Sequence, residues 1–496
     1  MPEPEDRSAV EQVRRDKLAA LRSAGIDAYP VGFRRSHTLT EVRQGWDGLD
    51  AGEDSGDVVR VAGRIMLKRA MGRLAFWTLS HDGHELQAML TVDALGADQF
   101  AVALDLDLGD WVGVQGPVVK TRKGELSVKA IELFLLGKAL RPLPDKWKGL
   151  TDVEVRSRQR ELDLTVNAAA RAAMRLRSRV VQSLRSSMLG RDFMEVETPI
   201  LNQVPGGALA RPFVTHHNAL DTDLYLRVAC ELYLKRLLVG GVDRVFELGR
   251  VFRNEGIDAT HNTEFTMLES NSAFQDYRDM MELARGVILE AADAAAGTRR
   301  VRFRGQQIDL GGDWRELTLL DAVREALGEP GLAYDQPLDQ LRRLCDRNGV
   351  AWQPGWGTGK LVLELYEKHV EHTIVQPTFV TDYPVEVSPL AHPHRDDPMV
   401  TERFELIIAG REYANCFSEL TDPDEQRARF EEQALAKAGG DEEAMVVDEA
   451  YLRALELGLP PNAGLGIGVD RLVMLLGDLS SIREALLFPQ LRPEEL

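Results

Sequence analysis

Apolar positions change period repeatedly along the chain. Over residues 10–21 they recur at helical spacing among charges, until Asp27-Ala-Tyr-Pro30 breaks the pattern. This predicts a helical appendage over 1–45. Over 58–136 the period falls to two, in short stretches parted by turn signals at Asp82-Gly83 and Lys123-Gly124, the layout of a small β-barrel within 46–144. Arg141-Pro-Leu-Pro144 follows as a stiff linker, because its two prolines forbid helix and favour extended backbone. The remainder, 145–496, reads as one larger domain. Its first helix, 171–189, carries Leu176, Val180, Val181, Leu184 and Met188 and runs into a strand over 193–199. Strands are further predicted over 245–255, over 264–269 and within 405–419, with a turn near Ala409-Gly410. The segment 464–468 leads into a helical run at 472–476.

Composition narrows the function classes. Of 496 residues, 44% are apolar and 28% charged, which suits a globular protein with a full core and excludes general disorder. The 79 acids outnumber the 60 Lys and Arg, a net charge of −19, so nucleic acid can be met only through a local basic patch. One patch is visible: Arg60, Arg64, Lys68, Arg69 and Arg73 stand in a stretch without acids, followed by Phe76, Trp77 and Gln87. Rings that stack on bases beside cations that track phosphates suit single-stranded nucleic acid, whereas the plainer reading is a solvated strand with a core Phe. Three widely spaced cysteines fit a reducing compartment and exclude a Cys-based zinc site. The start MPEPEDR lacks the pattern of a signal peptide and no apolar run is long enough for a membrane span, so a cytoplasmic location without membrane contact is expected.

The candidate chemistry lies in the larger domain. A period of two puts Arg253 and Glu255 on one strand face, an Arg fork for phosphate or carboxylate beside an acceptor for an adenine amine. His261 follows in a loop, and Phe265, Met267, Glu269 and Asn271 share a face of the next strand. If the two strands form a hairpin, a cation, a flat ring and carboxylates converge on one pocket. Asn415, Phe417 and Glu419 alternate onto one face, and Glu405 and Glu412 are hard oxygen ligands of the kind that hold Mg²⁺ beside phosphates. Gly464-Leu-Gly-Ile-Gly468 is not G-x-G-x-x-G. Its period of two strips one strand face of side chains, so a base can lie on bare backbone, and Arg471 follows where it can meet a phosphate. No P-loop occurs.

Read in order, these blocks resemble motifs 1, 2 and 3 of the class II aminoacyl-tRNA synthetases, and their wording is similar to the lysyl-tRNA synthetases. The resemblance runs from Arg14-Arg-Asp-Lys17 through Arg141-Pro-Leu-Pro144, Glu195-Val-Glu-Thr-Pro199, Phe252-Arg-Asn-Glu-Gly256 and Phe417-Ser-Glu-Leu420 to Leu487-Phe-Pro489. It implies an α+β protein: an N-terminal OB-fold β-barrel that binds the anticodon, and a catalytic domain on an antiparallel β-sheet with flanking helices, dimerising through motif 1. The implied reaction joins lysine to tRNA(Lys) at the expense of ATP, with Mg²⁺. Position by position, Arg253, Glu255, His261, Asn262, Phe265, Gly468 and Arg471 would hold ATP, with Arg253, Glu255 and Arg471 catalytic. Gly207, Glu231, Arg253, Glu269, Asn271, Asn415, Phe417 and Glu419 would hold the amino acid, and Glu405 and Glu412 the metal. Lys68, Arg69, Phe76 and Gln87 would meet the anticodon.

Glu269 and Glu419 at the inner end of the amino-acid pocket, with no cation expected among the matched residues there, favour a cationic side chain and repel aspartate. Four positions depart from the family's wording: Asn271 stands where Tyr is usual, Thr260 for Arg, and Cys230 and Thr263 each for Pro. The alternatives left open are a paralogue that activates another amine-bearing amino acid and a non-catalytic RNA-binding paralogue. Retention of Arg253, Glu255, Phe265, Glu405, Glu412 and Arg471 argues against the second.

Overall fold

The computed structural model describes residues 8–144, 150–440 and 442–493. The chain divides into two compact units, Met1–Arg171 and Ala172–Leu496. In the first, strands Asp54–Met71, Leu74–His81, His84–Thr91, Leu126–Lys129 and Trp111–Lys120 pair in that order, and the last pairs back onto the first to close a barrel. Glu132–Gly137 adds to the Trp111–Lys120 strand. Alternation turns Val59, Val61, Ile65, Trp77 and Leu79 inward, which leaves Phe76 on the outside. Helices Ala9–Ser23 and Leu39–Trp46 bury Leu18, Leu21, Leu39 and Val42 in the same core. Arg14 ties the first helix down by donating to the carbonyls of Leu108, Ala139 and Arg141 at 3.0–3.1 Å.

The second unit is built on an eight-stranded sheet in the order Arg315–Thr318, Thr378–Thr381, Arg403–Ile408, Arg411–Ser418, Asn462–Gly468, Glu264–Ala273, Arg244–Phe252 and Met194–Glu195. Only the two outermost pairings are parallel; all others are antiparallel. Phe246, Leu268, Ile467, Cys416, Phe404 and Leu406 point to one face and form a common core with helices Tyr277–Ala291 and Val469–Gly477 and with Leu176, Val180, Leu184 and Met188. Their neighbours point to the other face. There the register lines up Glu247, Glu269, Gly466, Asn415 and Glu405 across five strands, and beside them Asn271, Gly464, Phe417 and Arg403. Polar side chains from four strands thus meet over two glycines. Helix Glu231–Val239 contributes Leu232, Leu234 and Leu238 to a separate core with Val245, Ala273 and Tyr451.

Two predicted strands are shorter than the sequence suggests. The one predicted to end at Glu255 stops at Phe252, so Arg253 and Glu255 stand beyond it rather than alternating along it. The Arg253 amide still donates to the Thr263 carbonyl at 2.8 Å, which fixes its direction. The strand predicted over 193–199 is paired only at Met194–Glu195, because the chain turns away at Thr198, whose amide and hydroxyl donate to Glu247 at 3.0 and 2.6 Å.

Candidate active site

The glycine-bearing face floors a polar depression with three connected compartments. Arg253 and Glu412 line all three. The first, about 510 Å³, is walled by Arg253, Glu255, His261, Asn262, Phe265, Gly468 and Arg471, so every residue expected to hold ATP is on one cavity. The Arg253 guanidinium stands 5.1 Å from the Phe265 ring centre, and its Nε is buried without a hydrogen-bond partner. A buried donor left unpaired is costly unless something fills it, and an anion would. Arg471 donates to the Glu412 carbonyl at 2.8 Å and to its carboxylate at 3.1 Å, and approaches His261 Nε2 at 3.3 Å. The other His261 nitrogen faces Asp258 at 2.9 Å. Asp258 also accepts from the amides of Thr260 and His261 at 2.6 and 2.8 Å. Against the upward push of burial, those bonds from His261 and Thr260 hold the Asp258 carboxyl well below the usual range.

Sequence reasoning missed the brace beneath this cavity. Buried Asp470 accepts from the Thr266 amide at 2.6 Å and from the Arg177 guanidinium, which also donates to the Thr266 hydroxyl at 2.9 Å. This pins the start of the Val469–Gly477 helix, and with it Arg471, to the Phe265 strand. Asp at the first turn of a helix was the available signal.

The second compartment, about 110 Å³, gathers Gly207, Glu231, Arg253, Glu269, Asn271, Asn415, Phe417 and Glu419, the whole set expected for the amino acid. A side chain at Gly464 would collide with Glu419 and lie 2.9 Å from the Asn271 amide nitrogen, so the pocket needs glycine there for space. Asn271 donates to Glu419 at 2.9 Å and to Asn462 at 3.2 Å. Glu269 accepts from the Cys230 amide at 2.9 Å and its thiol at 3.1 Å. The expectation of no cation at the inner end is corrected here. Lys235, fully buried one helical turn after Glu231, forms ion pairs with Glu231 at 2.6 Å and with Glu419. Its two carboxylate partners outweigh burial and keep it protonated. Burial nonetheless pushes Glu419 up to about 8 against the pull of Lys235, with Glu231 adding to the rise, and burial likewise raises Glu269. The empty pocket is thus crowded with carboxyls that resist ionising together, and a bound ammonium would favour their charged forms.

The third compartment, about 250 Å³, adds Arg403 and Glu405. Arg403 donates to Glu405 at 2.6 Å and to the Asn415 side-chain oxygen at 3.1 Å. Its fork fixes the amide so that the Asn415 nitrogen is the group left for a ligand. Burial and Glu412 push the Glu405 carboxyl up to about 7. Two acids that resist sharing charge fit a divalent cation. Among the described residues no group of three or more His, Cys, Asp or Glu could hold a metal, so oxygens of a bound phosphate would have to complete its shell.

In the barrel unit a separate groove of about 1140 Å³ is lined by Arg69, Phe76 and Gln87, together with Arg43, Lys120, Arg122, Lys123 and Lys129, which were not singled out from sequence. Lys68 does not join them. Its ammonium turns to the other side, donating to the carbonyls of Leu104, at 2.8 Å, and Leu106. Gln87 is held from both ends, accepting from Arg69 at 3.2 Å and donating to Ser127 at 2.9 Å. No helix among the described residues is long and apolar enough to cross a membrane.

Comparison with known proteins accords with this geometry. Residues 152–492 match the family described as tRNA synthetases class II (D, K and N), and residues 59–136 match the OB-fold nucleic acid binding domain. The lysine–tRNA ligase of Xanthomonas oryzae pv. oryzae is 50% identical over 496 residues, covering 99% of this chain and 98% of the relative. Those of Xylella fastidiosa and of Azoarcus sp. are each 49% identical, covering 99% of this chain and 97% and 99% of the relatives. With a family match over most of its length and half of its positions shared with such relatives from end to end, the chain belongs to the class II tRNA synthetases, in the lysine–tRNA ligase family.

Proposed function

We propose that the protein activates lysine with ATP and transfers it to the terminal adenosine of tRNA(Lys). The observation that carries this reading is the placement of Arg253 between two compartments, one lined by the ring and cations suited to ATP, the other by carboxylates suited to an amine. Adenine would lie between Phe265 and the glycine floor, its amine toward Glu255. Lysine would place its α-amino group toward Glu231 and the Gly207 backbone, its carboxylate toward Arg253 and Asn415, and its terminal ammonium toward Glu419. In that pose the carboxylate attacks the α-phosphorus in line, and most of the rate gain comes from orientation and from cations already aimed at the growing charge. Arg253 faces the α-phosphoryl oxygens; Arg471, steadied by Glu412 and His261, faces the departing pyrophosphate. Glu405 and Glu412 would hold Mg²⁺, which when bound neutralises phosphate charge. The tRNA 3′-hydroxyl then attacks the lysyl carbonyl of lysyl-adenylate, breaking the acyl–phosphate bond and releasing AMP, with no covalent enzyme intermediate.

We assign 46–144, with Arg69, Phe76 and Gln87, to the anticodon, 145–496 to catalysis and 1–45 to an appendage of the barrel. Met194, Ile200 and Leu201, each 46–47% exposed in the motif 1 region, support a homodimer. We place the enzyme in the cytoplasm. Amino-acid-dependent ATP–pyrophosphate exchange tests the assignment. Lysine should drive exchange above other amino acids; a different amine-bearing amino acid winning would select the paralogue reading, and no exchange with any would refute activation.

A further inference from the structure

We propose that Lys235 is a positioning residue for amino-acid recognition, a resident cation that holds Glu231 and Glu419 at the spacing needed to take both amino groups of a diamino acid. This rests on the lysine-activating reading above.

Glu231 opens the Glu231–Val239 helix, whereas Glu419 follows the Arg411–Ser418 strand, so no backbone pairing sets the distance between them. One ammonium does, pairing with both from a site closed by the Phe417 and Tyr451 rings at 5.4 and 5.9 Å. A lysine suits this position because its charge is compact and its donors can be shared between carboxylates in different planes, which a planar guanidinium cannot match. The charge count is equally telling. Four acids, Glu231, Glu269, Glu412 and Glu419, stand against Lys235 and Arg253, so carboxyls outnumber cations at the pocket. Lysine, with one net positive charge, offsets part of that excess, whereas a neutral amino acid offsets none of it. Lys235 also governs titration. The groups facing Glu419 are Lys235, Glu231 and Asn271, with Cys416 and Tyr451 behind them. Lys235 is the one cation among these, so without it only the Asn271 hydrogen bond is left to oppose Glu231 and burial at Glu419.

The test compares wild type with K235M in lysine-dependent ATP–pyrophosphate exchange across about pH 6 to 9.5, where an acidic limb reports the free enzyme's essential carboxylate. We expect the lysine KM of K235M to rise at least about tenfold, as for loss of a buried charge partner. The ATP KM should stay within about twofold, and the acidic limb of kcat/KM for lysine should move up by about one pH unit. A merely structural role would leave the limb in place. A folded K235M whose limb and lysine KM coincide with wild type overturns the proposal. If K235M does not fold, the near-isosteric E231Q carries the test: Lys235 then serves Glu419 alone, and the limb should move down. An unmoved limb in E231Q overturns the proposal as well. Wild type without lysine-dependent exchange would instead refute the functional reading, not the role of Lys235.

Discussion

Replacing Glu419 by Gln probes the selectivity pocket with the smallest change of shape. The Glu419 side chain is fully buried, accepts from Asn271 at 2.9 Å and is paired with Lys235. The amide introduced by Glu419→Gln keeps one acceptor oxygen for Asn271 but sets an NH₂ donor in place of the oxygen that Lys235 meets; Lys235 retains Glu231 at 2.6 Å, so the fold should survive with a loss of about 1–3 kcal/mol, the cost of an unmade buried hydrogen bond rather than of a charge left alone. Substrate lysine has no such reserve at its terminal ammonium. Truncating one partner of a buried, hydrogen-bonded charge pair costs about 2–5 kcal/mol, and at ~1.4 kcal/mol per tenfold the lysine KM should rise at least about 30-fold. The change removes ground-state and transition-state binding alike, so kcat should fall much less than kcat/KM. Glu419 does not line the 510 Å³ cavity, so the ATP KM should hold. The assay is pyrophosphate exchange with lysine and ATP titrated in turn. A lysine KM within about threefold of wild type, too small for any buried charge contact, refutes the assignment. A parallel rise in both KM values would show damage to the fold instead.

Arg253→Ala should lower the exchange kcat by about 100- to 1,000-fold, as for loss of a donor aimed at developing charge, and survival of kcat within about threefold would make Arg253 a binding residue only. Because burial raises Glu419 above the usual carboxylate range, the empty enzyme holds a proton there that the unfolded chain releases, so this group's contribution to stability falls as pH rises from the unfolded value toward about 8. Bound lysine favours the carboxylate, so the thermal shift given by lysine should be larger at about pH 8.5 than at about pH 6 in wild type, and nearly flat in Glu419→Gln; equal pH dependence in the two proteins rejects this. Phe76→Ala should lose about 1–3 kcal/mol of tRNA binding and part of the discrimination against an anticodon-swapped transcript, with exchange untouched; equal discrimination by both proteins rules out anticodon reading through Phe76. Lys68→Ala should lower the melting temperature, because two carbonyls lose their donor, while anticodon discrimination stays as in wild type.

Much of this site was legible because it is written in strand alternation. Glu269, Asn415 and Glu405 each occupy alternate positions, and the glycines at 464, 466 and 468 mark the face they share; register then aligns them across the sheet. Alternation was also sufficient to separate Lys68 from Arg69. Adjacent strand residues point to opposite faces, so the two could not both line the groove with Phe76. The basic composition of the stretch obscured that parity. Lys235 was hidden for a different reason. Four residues after Glu231 on a helix, it reads as an ordinary exposed i, i+4 pair, and nothing local says that the helix buries this face or that Glu419 arrives beside it. Asp258 was more accessible: an Asp two and three residues before a Thr and a His is a recognisable turn acceptor.

The departures at Cys230 and Asn271 act on separate carboxylates, and their effects run in the same direction. A proline at 230 would have no N–H, so the 2.9 Å bond from the Cys230 amide to Glu269 exists only because another residue stands there, and the thiol adds a second donor to the same oxygen. Glu269 is thereby tied back to the start of the Glu231–Val239 helix and has less acceptor capacity for a ligand. Asn271 reaches Glu419 directly, with Asn462 taking its second donor bond. An amide is shorter than a phenol ring and carries no π-face, so it orients Glu419 without covering it. The burden of the terminal ammonium then falls on Glu419 more than on Glu269. On this argument Glu419→Gln should impair lysine use more than Glu269→Gln does, and in a Cys230→Ala variant, which keeps the amide but removes the thiol, the gap between the two should narrow. Equal losses in the Glu269 and Glu419 variants would mean that the ties seen at Glu269 open when lysine binds.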